Sequence, residues 1–256
     1  LVCIDVDDPS WANANWTVGN GSIDAISNFS SNCATALGCT DPTAINYNPL
    51  ASIDDGSCSS YQKTYIPDDN FEQALINEGN DDVLDDSVLT VNINTITVLD
   101  IGNKQIADLT GIEGFASLTE LDCYQNYLTS LDVSTHTSLQ TLYCHNNQLT
   151  SINVNGATSL ATLNCNNNQL DSLDVSNTNL TYLYANNNQL TSLDVSINTV
   201  MNINQVHVTH NQLTSLNLSS NSALVSLDCH ENQLTSLDVS GANSLNNLFC
   251  YNNQLT

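Results

Sequence analysis

The chain has 256 residues, of which 27 are Asp or Glu and two are Lys, giving a formal charge of −25 at pH 7. That balance argues against a nucleic-acid partner, because neutralising phosphates takes clustered Lys and Arg, and it disfavours an anionic membrane surface. No apolar run reaches the roughly 18 residues of a membrane-spanning helix. The opening LVCIDVDDPSW has neither the basic stretch nor the apolar core of a signal segment, so it reads as the interior of a longer chain.

Nine cysteines fall into two classes. Cys3, Cys33, Cys39 and Cys58 come early and suggest two disulfides and an oxidising compartment. Cys123, Cys144, Cys165, Cys229 and Cys250 recur at one position of a repeat and read as free core thiols, since side chains pointing inward in parallel have poor disulfide geometry.

Residues 1–37 do not read as part of that repeat. They resemble the closing segment of a leucine-rich repeat array. The resemblance implies a last strand from Val2 to Val6, a loop carrying Trp11 and Trp16, and a Cys3–Cys33 disulfide worth about 3–4 kcal/mol by loop-closure entropy. It also implies an earlier array that the sequence does not contain.

Residues 38–60 begin with GCTDPTAINYNPLASIDDGSC, a stretch resembling a short Cys-bounded module of secreted Bacteroidota proteins. About twenty residues cannot bury enough core to fold unaided. The supports on offer are a Cys39–Cys58 disulfide and a bound calcium ion. Asp41, Asn46, Asn48, Asp54 and Asp55 supply oxygens of the kind calcium takes, six to eight at a time. The same Asp-Pro, Asn-Pro and Asp-Asp-Gly pairs also serve simply as turn formers.

Residues 61–95 contain a predicted helix over 67–78, PDDNFEQALINE, capped by Asp68 or Asp69 and stopped by Gly79. The acidic stretch from Asn80 to Asp86 reads as a solvated loop. The region resembles the N-terminal cap of internalin-type arrays.

From Ile96 to Thr256 one unit returns. Its first apolar position falls at Ile96, Leu118, Leu139, Leu160, Leu180, Ile203, Leu224 and Leu245, about eight copies with the last incomplete. The unit LATLNCNNNQLDSLDVSNTN of residues 160–179 shows the pattern: LxxLxC, then an Asn at the ninth place, then a second LxxLxV. This resembles the leucine-rich repeat family in its nested bacterial, IRREKO and internalin-like form. The implied fold is a leucine-rich repeat solenoid, a parallel β coil with two short strands per turn of about 21 residues, a helical cap and a disulfide-pinned module in front. Asn126, Asn147, Asn168, Asn188, Asn211, Asn232 and Asn253 would bond the turns above and below.

In such arrays the side chains flanking the inward residues of the first strand form the exposed sheet surface. Here that implies a binding face of Tyr124, Tyr143, His145, Tyr182, Tyr184, His207, His230, Phe249 and Tyr251, suited to a protein or glycan. His207, Asp228 and His230 sit on neighbouring turns in a combination that suits Zn²⁺, although chance placement is the simpler explanation. No nucleophile is matched to a base and an orienting acid, and no phosphate-binding glycine loop is present. The expectation is a non-enzymatic extracellular or cell-surface protein. It is either a structural or adhesive part of a longer rod, with copies joined head to tail, or a receptor for a host protein or polysaccharide.

Overall fold

The computed structural model describes residues 2–5, 9–17, 27–30, 37–42, 44–196, 203–219 and 221–256. The chain divides into two compact units, Leu1–Gln62 and Lys63–Thr256.

In the first unit, β1 (Val2–Asp5) precedes α1 (Pro9–Asn15) and pairs in parallel with β2 (Ser27–Ser30). The strand expected over Val2–Val6 is present. The segment expected as a loop is instead the helix α1, with Pro9 at its first position, where a missing N–H costs nothing and the fixed φ suits a helix. The expected Cys3–Cys33 pairing lies outside the described residues. β3 (Leu37–Gly38) and β4 (Ile53–Asp54) then pair in parallel, and a Cys39–Cys58 disulfide closes the small module.

The second unit opens with β5 (Lys63–Tyr65), α2 (Asp69–Asn77), β6 (Ser87–Leu89), antiparallel to β5, and the one-turn helix α3 (Thr90–Ile93). α2 matches its local signals. Asp68 caps it, one carboxylate oxygen accepting from the N–H groups of Asn70 and Phe71 at 3.0 Å each, and Gly79 follows its end at φ 79°. The other oxygen of Asp68 accepts from Ala107 and Asp108 at 2.8 and 3.1 Å, tying the cap to the first coil.

The acidic loop differs from expectation. Its side chains remain largely exposed, but its backbone folds onto the fully buried Glu72 of α2. The Glu72 carboxylate accepts from the N–H groups of Asp85, Asp86 and Ser87 at 2.8–3.1 Å. An acid buried this way is tolerated because several charge-assisted hydrogen bonds replace its hydration.

The rest is the expected solenoid. Its strands are β7 (Val98–Asp100), β8 (Glu120–Asp122), β9 (Ser130–Asp132), β10 (Thr141–Tyr143), β11 (Ser151–Asn153), β12 (Thr162–Asn164), β13 (Tyr182–Tyr184), β14 (Ser192–Asp194), β15 (Gln205–His207), β16 (Ser215–Asn217), β17 (Ser226–Asp228) and β18 (Asn247–Phe249). β7, β8, β10, β12, β13, β15, β17 and β18 form one eight-stranded parallel sheet. The register aligns Leu99, Leu121, Leu142, Leu163, Leu183, Val206, Leu227 and Leu248. Inside, one continuous core runs from Ile66 to Ala242. Cys123, Cys144, Cys165 and Cys229 are buried free thiols within it, and Cys250 is partly exposed. Burial pushes the Cys165 and Cys229 thiols up to about 12, so they pack as apolar groups.

The asparagine column is present, with a direction the sequence did not disclose. Asn168 donates to the carbonyls of Cys144 and Cys165 at 3.1 and 3.0 Å and accepts from the Leu149 N–H at 3.0 Å. Asn147, Asn188, Asn211, Asn232 and Asn253 do the same at their levels. Each amide therefore joins its own turn to the preceding one, not to those on both sides. Just before each ladder Asn the chain passes through left-handed backbone, at Gln125, Asn146, Asn167, Asn187, His210, Glu231 and Asn252, with φ between 53° and 57°.

Candidate binding face

In most strands of the long sheet the middle side chain is buried and its neighbours point outward. Three residues are enough to set this alternation, because successive strand side chains take opposite faces. The outward residues at one level are Asp122, Tyr143, Asn164, Tyr184, His207, Asp228 and Phe249, held side by side by the ladder.

The predicted aromatic residues meet in contiguous pairs. The rings of Tyr124 and His145 stack with centroids 5.2 Å apart. Tyr124 lies against Gly102, where an added Cβ would strike its ring. The His207 ring meets Tyr184 edge-on at 5.2 Å, and the Tyr184 hydroxyl bonds Gln205 Oε1 at 3.0 Å. His230 and Tyr251 stack at 4.4 Å. Tyr182, Phe249 and Tyr251 are well exposed, at 36, 49 and 55%, while Tyr143, Tyr124, His145, Tyr184, His207 and His230 are half-buried. Burial lowers the His145 pKa, with the Asp122 carboxylate opposing. Burial also raises the Asp122 pKa, helped by Asp100. The surface is aromatic and amide-rich, interleaved with carboxylates.

The trio His207, Asp228 and His230 does not assemble as one set of ligands. His230 Nδ1 contacts Asp228 Oδ1 at 2.5 Å, whereas His207 turns toward Tyr184 and its Nε2 is buried without a hydrogen-bond partner. A further histidine, His136, carried no repeat signal. It is buried in the core, with Nε2 3.0 Å from the Ile112 carbonyl oxygen.

The oxygens nominated for calcium in the first unit are engaged locally. Asn46 donates to the Ser57 carbonyl at 2.6 Å and accepts from the Ser59 N–H at 2.9 Å. Asn48, Asp54 and Asp55 each accept from the backbone N–H two residues on, at 2.9–3.0 Å. The module is held by its disulfide and by the bonds of Asn46.

The leucine-rich repeat domain family of the endo-beta-N-acetylglucosaminidase EndoS matches residues 92–198. Internalin J of Listeria monocytogenes serotype 4b (strain F2365) is 40% identical over 73 residues, 28% of this chain and 8% of that protein. The functional domain of InlJ from Listeria monocytogenes, which includes a cysteine ladder, superposes with a TM-score of 0.61 at 34% identity, over 77% of this chain and 49% of that one. Internalin C2 of the same species superposes at 0.63 and 23% identity, over 77% and 92%, which shows the fold alone. The chain thus spans about half of the InlJ domain and less than a tenth of Internalin J. Among the described residues no helix is long and apolar enough to cross a membrane. The second unit of this chain has the leucine-rich repeat solenoid fold, similar to that of the InlJ functional domain and of internalin C2.

Proposed function

We propose that the chain is a non-catalytic recognition and adhesion part of an extracellular or cell-surface protein. Its partner, a protein or a glycan, docks on the exposed face of the eight-stranded sheet. The observation that supports this most directly is the row of aromatic side chains, Tyr124, Tyr143, Tyr182 and Tyr184, at positions where the coil asks only for an outward residue. Rigid aromatics on a fixed ladder offer contact area at little entropic cost. Glu120, Asp122 and Asp228 among them favour a partner with basic groups or many hydroxyls.

Binding of the intact chain to arrays of glycans and of extracellular proteins, read with the Tyr143→Ala, Tyr184→Ala double variant, tests this. The expected result is at least a tenfold loss of binding at an unchanged unfolding midpoint, since aromatic anchors of this kind cost about 1.4 kcal/mol or more on truncation. Undiminished binding would discard the face.

A second reading is a spacer-and-array rod, supported by the order of disulfide-closed module, cap and array. Negative-stain images of the full-length protein showing only isolated compact particles would refute it.

A further inference from the structure

The left-handed position before each ladder Asn is where a side chain other than Gly or Asn is disfavoured, because only a short polar side chain bonds locally there at little steric cost. Asn fills it at Asn146, Asn167, Asn187 and Asn252. Gln125 departs from that choice at φ 53°, and two consecutive turns do so together, with His210 at φ 53° and Glu231 at φ 55°. Neighbouring departures from a repeat's own best residue at a strained position point to a use for the pair.

Those two side chains meet each other and a third. His210 Nε2 lies 2.9 Å from Glu231 Oε2, and the His230 ring meets the His210 ring edge-on with centroids 5.4 Å apart. One ligand atom from each of His210, His230 and Glu231 falls within 4.8 Å of the other two. The backing is also in place. Asp228 Oδ1 engages His230 Nδ1, which leaves Nε2 as the free nitrogen, and Tyr251 stacks on the ring to fix its plane. Thr209 Oγ1 lies 3.2 Å from His210 Nδ1, again leaving Nε2. A carboxylate behind a histidine, holding its tautomer and raising its basicity, is the usual outer support of a metal ligand.

We propose that His210, His230 and Glu231 form a site for a divalent transition metal ion of the Zn²⁺ type, with Asp228 and Tyr251 as positioning residues. Two imidazole nitrogens and one carboxylate oxygen suit that ion and leave a fourth position for water or a ligand atom. The site is cheap to open. The His210–Glu231 contact that the metal replaces is an exposed pair, with side chains 47% and 44% accessible, and such pairs contribute little to stability. The charge of −25 favours the cation. This proposal does not depend on the binding face described above.

Isothermal titration of the intact chain with Zn²⁺, with Ca²⁺ as the comparison, tests it. One Zn²⁺ per chain is expected, with much weaker Ca²⁺ binding. The informative variants are His210→Asn, Glu231→Asn and His230→Asn. The first two restore the residue the repeat itself uses, and Asn166 and Asn186 occupy the His230 position in other turns. All three should keep the native unfolding midpoint while weakening Zn²⁺ at least tenfold, and Asp228→Ala should weaken it about 10- to 100-fold. Absence of saturable Zn²⁺ binding, or equal affinity in a His210→Asn, Glu231→Asn double variant, would overturn the assignment. The second result would place the ion elsewhere, for example on the thiols.

Discussion

The two sides of the coil are built from nearly the same LxxLxL pattern, yet they pair differently. On the first side eight strands join without a break. On the second side, among the described residues, only β9 with β11 and β14 with β16 pair, and residues 172–174 and 237–239 form no strand. Leu131 and Leu193, in the paired stretches, are buried, whereas Leu173 and Leu237, where no strand forms, are only partly buried. The polar residues differ as well.

On the first side each turn has an amide that donates and accepts, so every turn is laced to the one before. On the second side the place of the ladder Asn holds His136, Ala157, Thr178, Asn221 and Ala242, where Asn221 reaches the Val195 and Leu218 carbonyls as the first-side amides do. The outward residue of the same stretch is Asp132, Asn153, Asp174, Asp194, Asn217 or Asp238. An ionised Asp can only accept, and each of the four accepts from the serine N–H two residues on within its own turn. Strands form where an Asn follows an Asp. Asn153 Nδ2 reaches Asp132 Oδ2 at 3.1 Å, and Asn217 Nδ2 reaches Asp194 Oδ2 at 3.1 Å. Where Asp174 and Asp194 fall on successive turns, like charges replace that bond. The ladder opens there into a groove of about 340 Å³ lined by Ile152, Leu173 and Leu193.

The sharpest way to break the comparison is to remove one amide from the laced side. Asn168→Ala would strand the Leu149 N–H and leave the Cys144 and Cys165 carbonyls with one bond each, from Asn147 and Asn188. One buried unsatisfied donor costs about 1–3 kcal/mol and the two lost bonds add to it, so urea unfolding should show a loss of about 2–4 kcal/mol. Asp174→Ala on the other side should cost well under half of that. Equal losses would show that the amide column is not what distinguishes the two faces.

The cap provides a smaller test. Asp68→Ala removes a helix cap and two N–H bonds into the first coil, for about 2–3 kcal/mol in the same measurement.

The pH dependence of thermal melting separates two kinds of carboxylate. Bonds from Ser134, Ser176 and Ser196 hold Asp132, Asp174 and Asp194 below the ordinary carboxylate range. Their contribution is present above about pH 3.9 and is lost as pH falls through the folded values. Burial raises Glu78, Asp81 and Asp122, so these groups favour the folded chain as pH falls through their raised values. Melting temperature should therefore rise on mild acidification from pH 7 and fall again below about pH 4. A monotonic fall from pH 7 downward would mean that the serine-bonded aspartates outweigh the buried acids throughout.

The smallest expected effect is a gain. Asp174→Asn relieves the like-charge pair and leaves the Asp194–Asn217 bond in place, which should stabilise the chain by about 0.5–1 kcal/mol.

Much of this was legible before the fold was known, wherever the signal was local or periodic. Asp68 and Gly79 bracket α2 within a residue or two of the expected ends, because capping depends only on neighbours in the chain. The thiol column and the inward leucines followed from spacing alone. Other features had no such signal. Glu72 is held by N–H groups 13 to 15 residues away, a relation no period encodes. Pro9 is itself a local helix-start signal, at odds with the loop expected there. On the face, the tyrosines were legible as outward residues, but the stacking of Tyr124 on His145 and the edge-on contact of Tyr184 with His207 were not, because ring orientation depends on what the next turn supplies.

The sequence by itself determined that the chain coils, how long each turn is and which side chains face inward, because a shared core imposes one apolar period on every copy. Tertiary structure alone decided which way each amide reaches, where the second ladder opens, and that His210 and Glu231, 21 residues apart, come together beside His230. A hydrogen bond or a ligand set depends on the position of a group in space, and the coil converts a separation of one repeat into a contact.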